Sequence, residues 1–202
     1  MQPETATSSG CFLEDCEMKG FLLFIPALLF PYLTAALVLC LFFGGGVIDA
    51  LFSGNIWCGV ALLILYFFVS LICTIVNVIR NVTVGCEARL CALNSMILKL
   101  SQIPAYITLF VIGLGCLLTI FTFGISFTLV LFDCMAILLS GVAAVPAVVN
   151  GAREGKLTMA EAVVSGILGF VFCADAVCAV FVYMKIRRAA GKKRAGDDPA
   201  LF

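Results

Sequence analysis

Between Lys19 and Arg80 the chain carries one charged residue, Asp49, and between Lys99 and Arg153 one more, Asp133. Apolar runs of that length exceed what a soluble core of this size buries, and each suffices for two membrane-crossing helices of about 20 residues. The whole chain agrees: 63% of its 202 residues are hydrophobic and 12% charged, against roughly half and a quarter in soluble domains. Net charge is zero, so nothing draws the chain as a whole toward nucleic acid, and the bilayer is its expected partner. No His is present, which removes the commonest general base, the commonest metal ligand and every Ser-His or Cys-His arrangement.

Gly44-Gly45-Gly46 and the following VIDALFSGN divide the first run into spans near 21–43 and 56–79. Pro26 and Pro31 fall inside the first span, where membrane helices tolerate kinks. Thr122-Phe123-Gly124-Ile125-Ser126 divides the second run into spans near 104–121 and 127–149. Asn150-Gly151 marks a helix stop. Thr158-Met159-Ala160-Glu161 has the spacing of a capping box, so a fifth span is predicted over 159–187. Tyr183, Lys185, Arg187 and Arg188 would anchor its far end at headgroup level.

Residues 86–103 place Leu90, Leu93, Ile97 and Leu100 on one helical face, with Glu87, Arg89, Asn94 and Lys99 elsewhere. That pattern predicts an amphipathic helix lying along the membrane surface and turning into the third span at Pro104. The expected fold is an all-α polytopic membrane helix bundle of five transmembrane helices plus this interfacial helix. It forms a single transmembrane domain over 20–188, with an acidic tail over 1–19 ahead of an uncleaved first span. A basic then acidic tail covers 189–202.

Five spans would put six Lys and Arg on each side: Lys19, Arg80, Arg89, Lys99, Arg153 and Lys156 on one, and Lys185, Arg187, Arg188, Lys192, Lys193 and Arg194 on the other. The count is tied, and the concentration of the second set in one tail favours a cytoplasmic C-terminal end with the N-terminal end outside.

Asp133 and Asp175 are the acids deep inside the predicted spans. Each lies sixteen residues from the loop joining spans four and five, about 24 Å along its helix, so antiparallel neighbours would hold them level. Stripes of small residues, Asp133, Ala136, Ser140, Ala144 and Ala147 against Ser165, Leu168, Phe172, Asp175 and Ala179, would let the helices approach closely. With no Lys or Arg expected at that depth, the two carboxylates would share a proton or hold a cation, with Ser140 and Ser165 beside them. The site is then either a proton- or cation-binding station on a permeation path or a polar contact that fixes helix pairing.

Six of the eleven Cys form three C-x4-C pairs. Cys11, Cys16, Cys86 and Cys91 fall on one side of the predicted topology, where four thiolates could hold a metal, although the spacing differs from C-x2-C knuckles. The Asn81-Val82-Thr83 sequon follows a span too closely to carry weight. No phosphate loop, nucleophile elbow or zinc motif is present, so the expectation is a non-enzymatic protein without a cofactor.

IPAYITLFVIGLG, FDCMAILLSG, GAREGKLT and FVFCADAVCAVFVYMKIRR, from Ile103 onward, together resemble a family of uncharacterised integral membrane proteins of about this size from anaerobic gram-positive bacteria. In such proteins Asp133, the Gly155-Lys156-Leu157 loop and Asp175 are the recurring polar features, and SGVAAVPAVV stands here in place of a small-aromatic stretch. The resemblance implies a multi-pass protein of a bacterial inner membrane and supplies no activity. The expected role is a structural or partner-binding membrane component, binding a membrane protein partner or a second copy. The alternative is proton- or cation-coupled permeation of a small solute.

Overall fold

A chain crossing lipid must satisfy its own backbone hydrogen bonds, and this one does so with helices. The computed structural model describes residues 6–43, 46, 50, 52, 55–118, 123–171 and 174–197; side chains before Leu22 and after Gly191 lie outside the description. Six helices and no strand occur among the described residues: α1 Ala6–Phe43, α2 Ile56–Val84, α3 Ala88–Leu117, α4 Phe123–Arg153, α5 Met159–Leu168 and α6 Ala174–Asp197. Four of them, α1 from Leu22 onward and α2 to α4, are long and apolar enough to cross a membrane. The fold is an all-α membrane bundle, as expected.

Its divisions differ from the expectation in three places. The predicted interfacial helix 86–103 and the third span are one continuous helix, α3, because Pro104 is accommodated within it. The stop expected at Asn150-Gly151 comes later: α4 runs to Arg153, and the reversal falls on Gly155, whose φ of 68° is left-handed backbone that glycine adopts without strain. Gly151 instead permits a close approach, since a Cβ there would meet Leu157 at 2.8 Å and Ile186 at 3.2 Å.

The third difference reorganises the C-terminal part. No single helix spans 159–187. After the capping box, in which Thr158 and Glu161 bond reciprocally as predicted, α5 ends at Leu168 in tightening turns, with Phe170 N–H donating to Ile167 and Val171 N–H to Leu168. The chain then reverses. Cys178 of α6 donates its thiol to the Ser165 carbonyl at 3.6 Å, and Lys185 pairs with Glu161 at the open end. Ile186 joins Ala88, Ala147 and Leu157 in an apolar cluster. α5 and α6 are thus the arms of a re-entrant hairpin, and the C-terminal end of α6 returns to the side from which α5 started.

The bundle is built around α4, against which every other helix packs. Phe30 of α1 meets Tyr66 and Phe67 of α2 and Phe132 of α4, with ring centroids 6.5, 5.7 and 6.3 Å away. Prolines add polar joints. Pro31 has no N–H, which leaves the Ala27 carbonyl without its helical donor; Gln102 Nε2 of α3 supplies one at 2.9 Å. Tyr66 Oη of α2 also donates to α1, at the Pro26 carbonyl, at 3.1 Å.

At the end where the hairpin opens, Asn150 Nδ2 donates to the carbonyls of Asn81 (3.1 Å) and Cys86 (2.9 Å). Asn81 of the sequon is buried and donates to Asn77 Oδ1 at 3.0 Å. Arg153 donates to the Val82 carbonyl at 2.7 Å, and Glu154 accepts the Ala88 N–H at 2.8 Å, at the start of α3. The loops on this side are therefore bonded to one another, which fixes α4 and the hairpin relative to α2 and α3.

Candidate functional site

α3 is amphipathic in an inverted sense. Its Ile97, Leu100, Ile103 and Ile107 face outward, while Ser95, Lys99 and Gln102 are buried among the other helices. Their i, i+4, i+7 spacing puts all three on one face. Lys99 lies eleven residues into α3, about 16 Å from its start and hence at mid-membrane depth. The expectation that no cation reaches this depth does not hold. Of the polar residues expected on the surface-lying helix, Glu87 and Arg89 are exposed and Asn94 is half-buried, while Lys99 turns into the bundle beside Ser95 and Gln102.

The hairpin tip meets this lysine. Asp175, in the first turn of α6, pairs through Oδ1 with Lys99 Nζ, and its Oδ2 accepts from Ser140 Oγ of α4 at 3.0 Å. Placement of the tip depends on Gly141: a Cβ there would stand 2.6 Å from the Phe170 ring and 3.0 Å from the Gly169 carbonyl. Ser140 and Gly141 therefore act together, one offering the hydroxyl and the other the space.

Asp133 and Asp175 are not brought together as predicted. Reversal of the chain after Leu168 shortens the reach of Asp175 from the loop to little more than the ten residues of α5, about 15 Å, which sets it level with Ser140. Asp133 lies seven residues beyond Ser140 on α4, about 10 Å deeper. Its Oδ1 is buried without a hydrogen-bond partner among the described residues. Of the predicted site residues, Ser140 does bind Asp175, while Ser165 serves the hairpin through its carbonyl.

Two cavities adjoin the pair. One of about 300 Å³ is lined by Lys99 and Asp175 at its inner end, with Ile103, Ile107, Phe110 and Ile137 among its walls, and lies beyond the hairpin tip. The other, of about 20 Å³, lies between α3, α4 and the hairpin and is lined by Ser95, Lys99 and Ser165 among others. Among the described residues Ser95 Oγ has no hydrogen-bond partner, and the second cavity has room for one water.

The predicted thiolate cluster is only partly described, since the side chains of Cys11 and Cys16 lie outside the description. Cys91 is buried in the Ala88, Ala147, Ile186 cluster with its Sγ 3.9 Å from Asn150 Nδ2. No group of three or more metal-capable side chains occurs among the described residues. Of the predicted anchors, Arg187 and Arg188 are exposed, Tyr183 packs partly buried on the same cluster, and Lys185 pairs with Glu161. That lysine, together with the Thr158 cap, holds the Glu161 carboxyl down to about 2. Compared with known proteins, the chain matches no family model, no curated protein and no solved structure.

Sequence reasoning missed Lys99 as a member of this site. Lys99 stands four residues after Ser95 and three before Gln102, on one polar stripe, but a surface-lying amphipathic helix has the same stripe, so spacing alone did not single it out.

Proposed function

We propose that this protein is a non-enzymatic component of a bacterial inner membrane, a four-span scaffold that holds a re-entrant hairpin by an internal latch and binds a membrane partner or a second copy. The observation that carries the reading is the closed state of Asp175, both of whose oxygens are engaged, by Lys99 and by Ser140. A carboxylate so paired is suited to fixing helix positions, because breaking such a pair leaves an uncompensated buried charge. The larger adjoining cavity has mostly apolar walls, which favours a closed contact over a hydrated route.

The same geometry supports a definite orientation. With the hairpin returning, Lys19, Arg80, Arg89, Arg153, Lys156 and the six basic residues from Lys185 to Arg194 lie toward one side, and Lys99 within the bundle. The two linkers on the other side, 44–55 and 118–122, contain no Lys or Arg. Basic residues gather on the cytoplasmic side, so both ends of the described chain are cytoplasmic in this proposal. That revises the expected outside location of the N-terminal end. Reporters fused at the two ends should both be cytoplasmic, and an extracytoplasmic signal from either overturns the orientation.

A second reading, proton- or cation-coupled permeation, draws on the hairpin itself, since helices broken at mid-membrane depth are where transporters place their sites. Flux decides between the two. Purified protein in vesicles under a proton or sodium gradient should leak no faster than empty vesicles. A flux above that level, lost in Asp175→Asn, would replace the latch reading with the permeation one.

A further inference from the structure

Where α4 and α5 diverge, the surface holds a groove of about 500 Å³ that the latch does not use. Val145, Val148, Val149 and Ala152 of α4 form one wall, and Met159, Ala162, Val163 and Gly166 of α5 the other, with Arg153 at the mouth. From Arg153 to Val145 is about 12 Å along α4 and from Met159 to Gly166 about 10 Å along α5, close to the depth of one leaflet's hydrocarbon. The groove runs along nearly the whole of α5, so the length of that hairpin arm sets its depth.

The charge at the mouth is specific. Among the described residues of this loop region, Lys156 is neutralised by Glu154 at 2.5 Å and Lys185 by Glu161. Arg153 forms no ion pair among the described residues; its one hydrogen bond goes to the neutral Val82 carbonyl. That bond holds the guanidinium in place through Nη1 and leaves its other N–H groups to bind an oxyanion.

We propose that this groove binds one anionic glycerophospholipid of the surrounding leaflet, its phosphate on Arg153 and an acyl chain between α4 and α5. The groove is one leaflet deep, open to lipid and apolar below a single uncompensated cation, which matches the division of such a lipid into a charged head and a hydrocarbon tail. A basic pocket between helices on the cytoplasmic side is where anionic headgroups bind. This inference does not rest on the latch: it uses neither Lys99 nor Asp175.

The test is native mass spectrometry of the full chain in detergent with phosphatidylglycerol or phosphatidylcholine added at equal concentration. Wild type should retain one phosphatidylglycerol at least fivefold better than phosphatidylcholine. Arg153→Gln should abolish that preference, and Arg153→Lys, which keeps the charge, should restore most of it and control for folding. A Cβ at Gly166 would meet nothing within 4 Å, so Gly166→Leu should fill the groove and reduce retention of either lipid without disturbing the bundle. Equal retention of the two lipids by wild type overturns the proposal, as does an unchanged preference in Arg153→Gln. Inorganic phosphate that displaces the lipid from wild type and binds Gly166→Leu undiminished would identify a free-phosphate site, and overturns it too.

Discussion

α6 is held by two lysine–carboxylate pairs, Lys99–Asp175 at its first turn and Lys185–Glu161 ten residues later. The chemistry is the same and the surroundings differ. Side chains of the inner pair are 3% and 11% exposed, and those of the outer pair 35% and 36%. Water screens the outer pair and can replace either partner, so its contribution to stability is small. The inner pair is shielded from bulk water, and removing one partner there leaves a poorly compensated buried charge. The comparison shows that charge pairing fixes the hairpin at its tip, whereas at its mouth apolar packing around Ile186 and the bonded loops do more than the Lys185–Glu161 pair.

The largest effect should therefore follow Lys99→Ala, which is expected to cost about 3–5 kcal/mol in the unfolding free energy of the detergent-solubilised protein. Replacing both partners, as Lys99→Met with Asp175→Leu, should recover most of that loss. If the double variant is as unstable as the single one, charge pairing is not what holds the tip.

Packing at the same depth is probed by Gly141→Ala. The added Cβ would collide with Phe170 and the Gly169 carbonyl, an overpacking expected to cost about 1–3 kcal/mol. An unchanged melting temperature would mean that the tip can withdraw from α4 while keeping its ion pair, which would loosen the contrast between tip and mouth.

Glu161→Gln should have the smallest effect, a shift in melting temperature below that of Gly141→Ala which shrinks further in high salt. Its pH dependence has a definite sign. The folded state depresses the Glu161 carboxyl from 4.5 to about 2, so the pair's contribution is complete above about 4.5 and is lost as pH falls toward 2. Titrating wild type and Glu161→Gln over that window should make their stabilities converge at the acid end. Divergence there would assign the acid sensitivity to some other group.

Much of the scaffold was legible because hydropathy and terminators act locally. The α1 and α2 boundaries at Phe43 and Ile56 follow from the glycine run and the loss of apolar continuity, and the Thr158–Glu161 box from four residues alone. Two features were not local. The run 159–187 is long enough to cross a membrane, and its Gly166 and Gly169 do not by themselves announce a break, since membrane helices tolerate glycine; Gly141 of another helix leaves the space that the tip occupies. Periodicity on 86–103 grouped Lys99 with Glu87 and Arg89, which are exposed, and not with Ser95 and Gln102, beside which it is buried; headgroups and a polar bundle interior select the same spacing. Locating Lys99 required knowing that Asp175 would arrive opposite it. Ser140 was legible as a partner for Asp175 because it shares the small-residue stripe of α4, whereas the pairing of Asp133 with Asp175 relied on a straight fifth helix that does not form.

The separation of the two latch residues along the chain has a consequence for biosynthesis. Lys99 emerges from the ribosome 76 residues before Asp175, an interval of about 4–15 s at ordinary rates of elongation. Throughout that time α3 has an ammonium and no counter-ion at hand, so it must wait near the aqueous edge or against the insertion machinery. Full seating of α3 therefore belongs among the last events of assembly, completed when the hairpin docks.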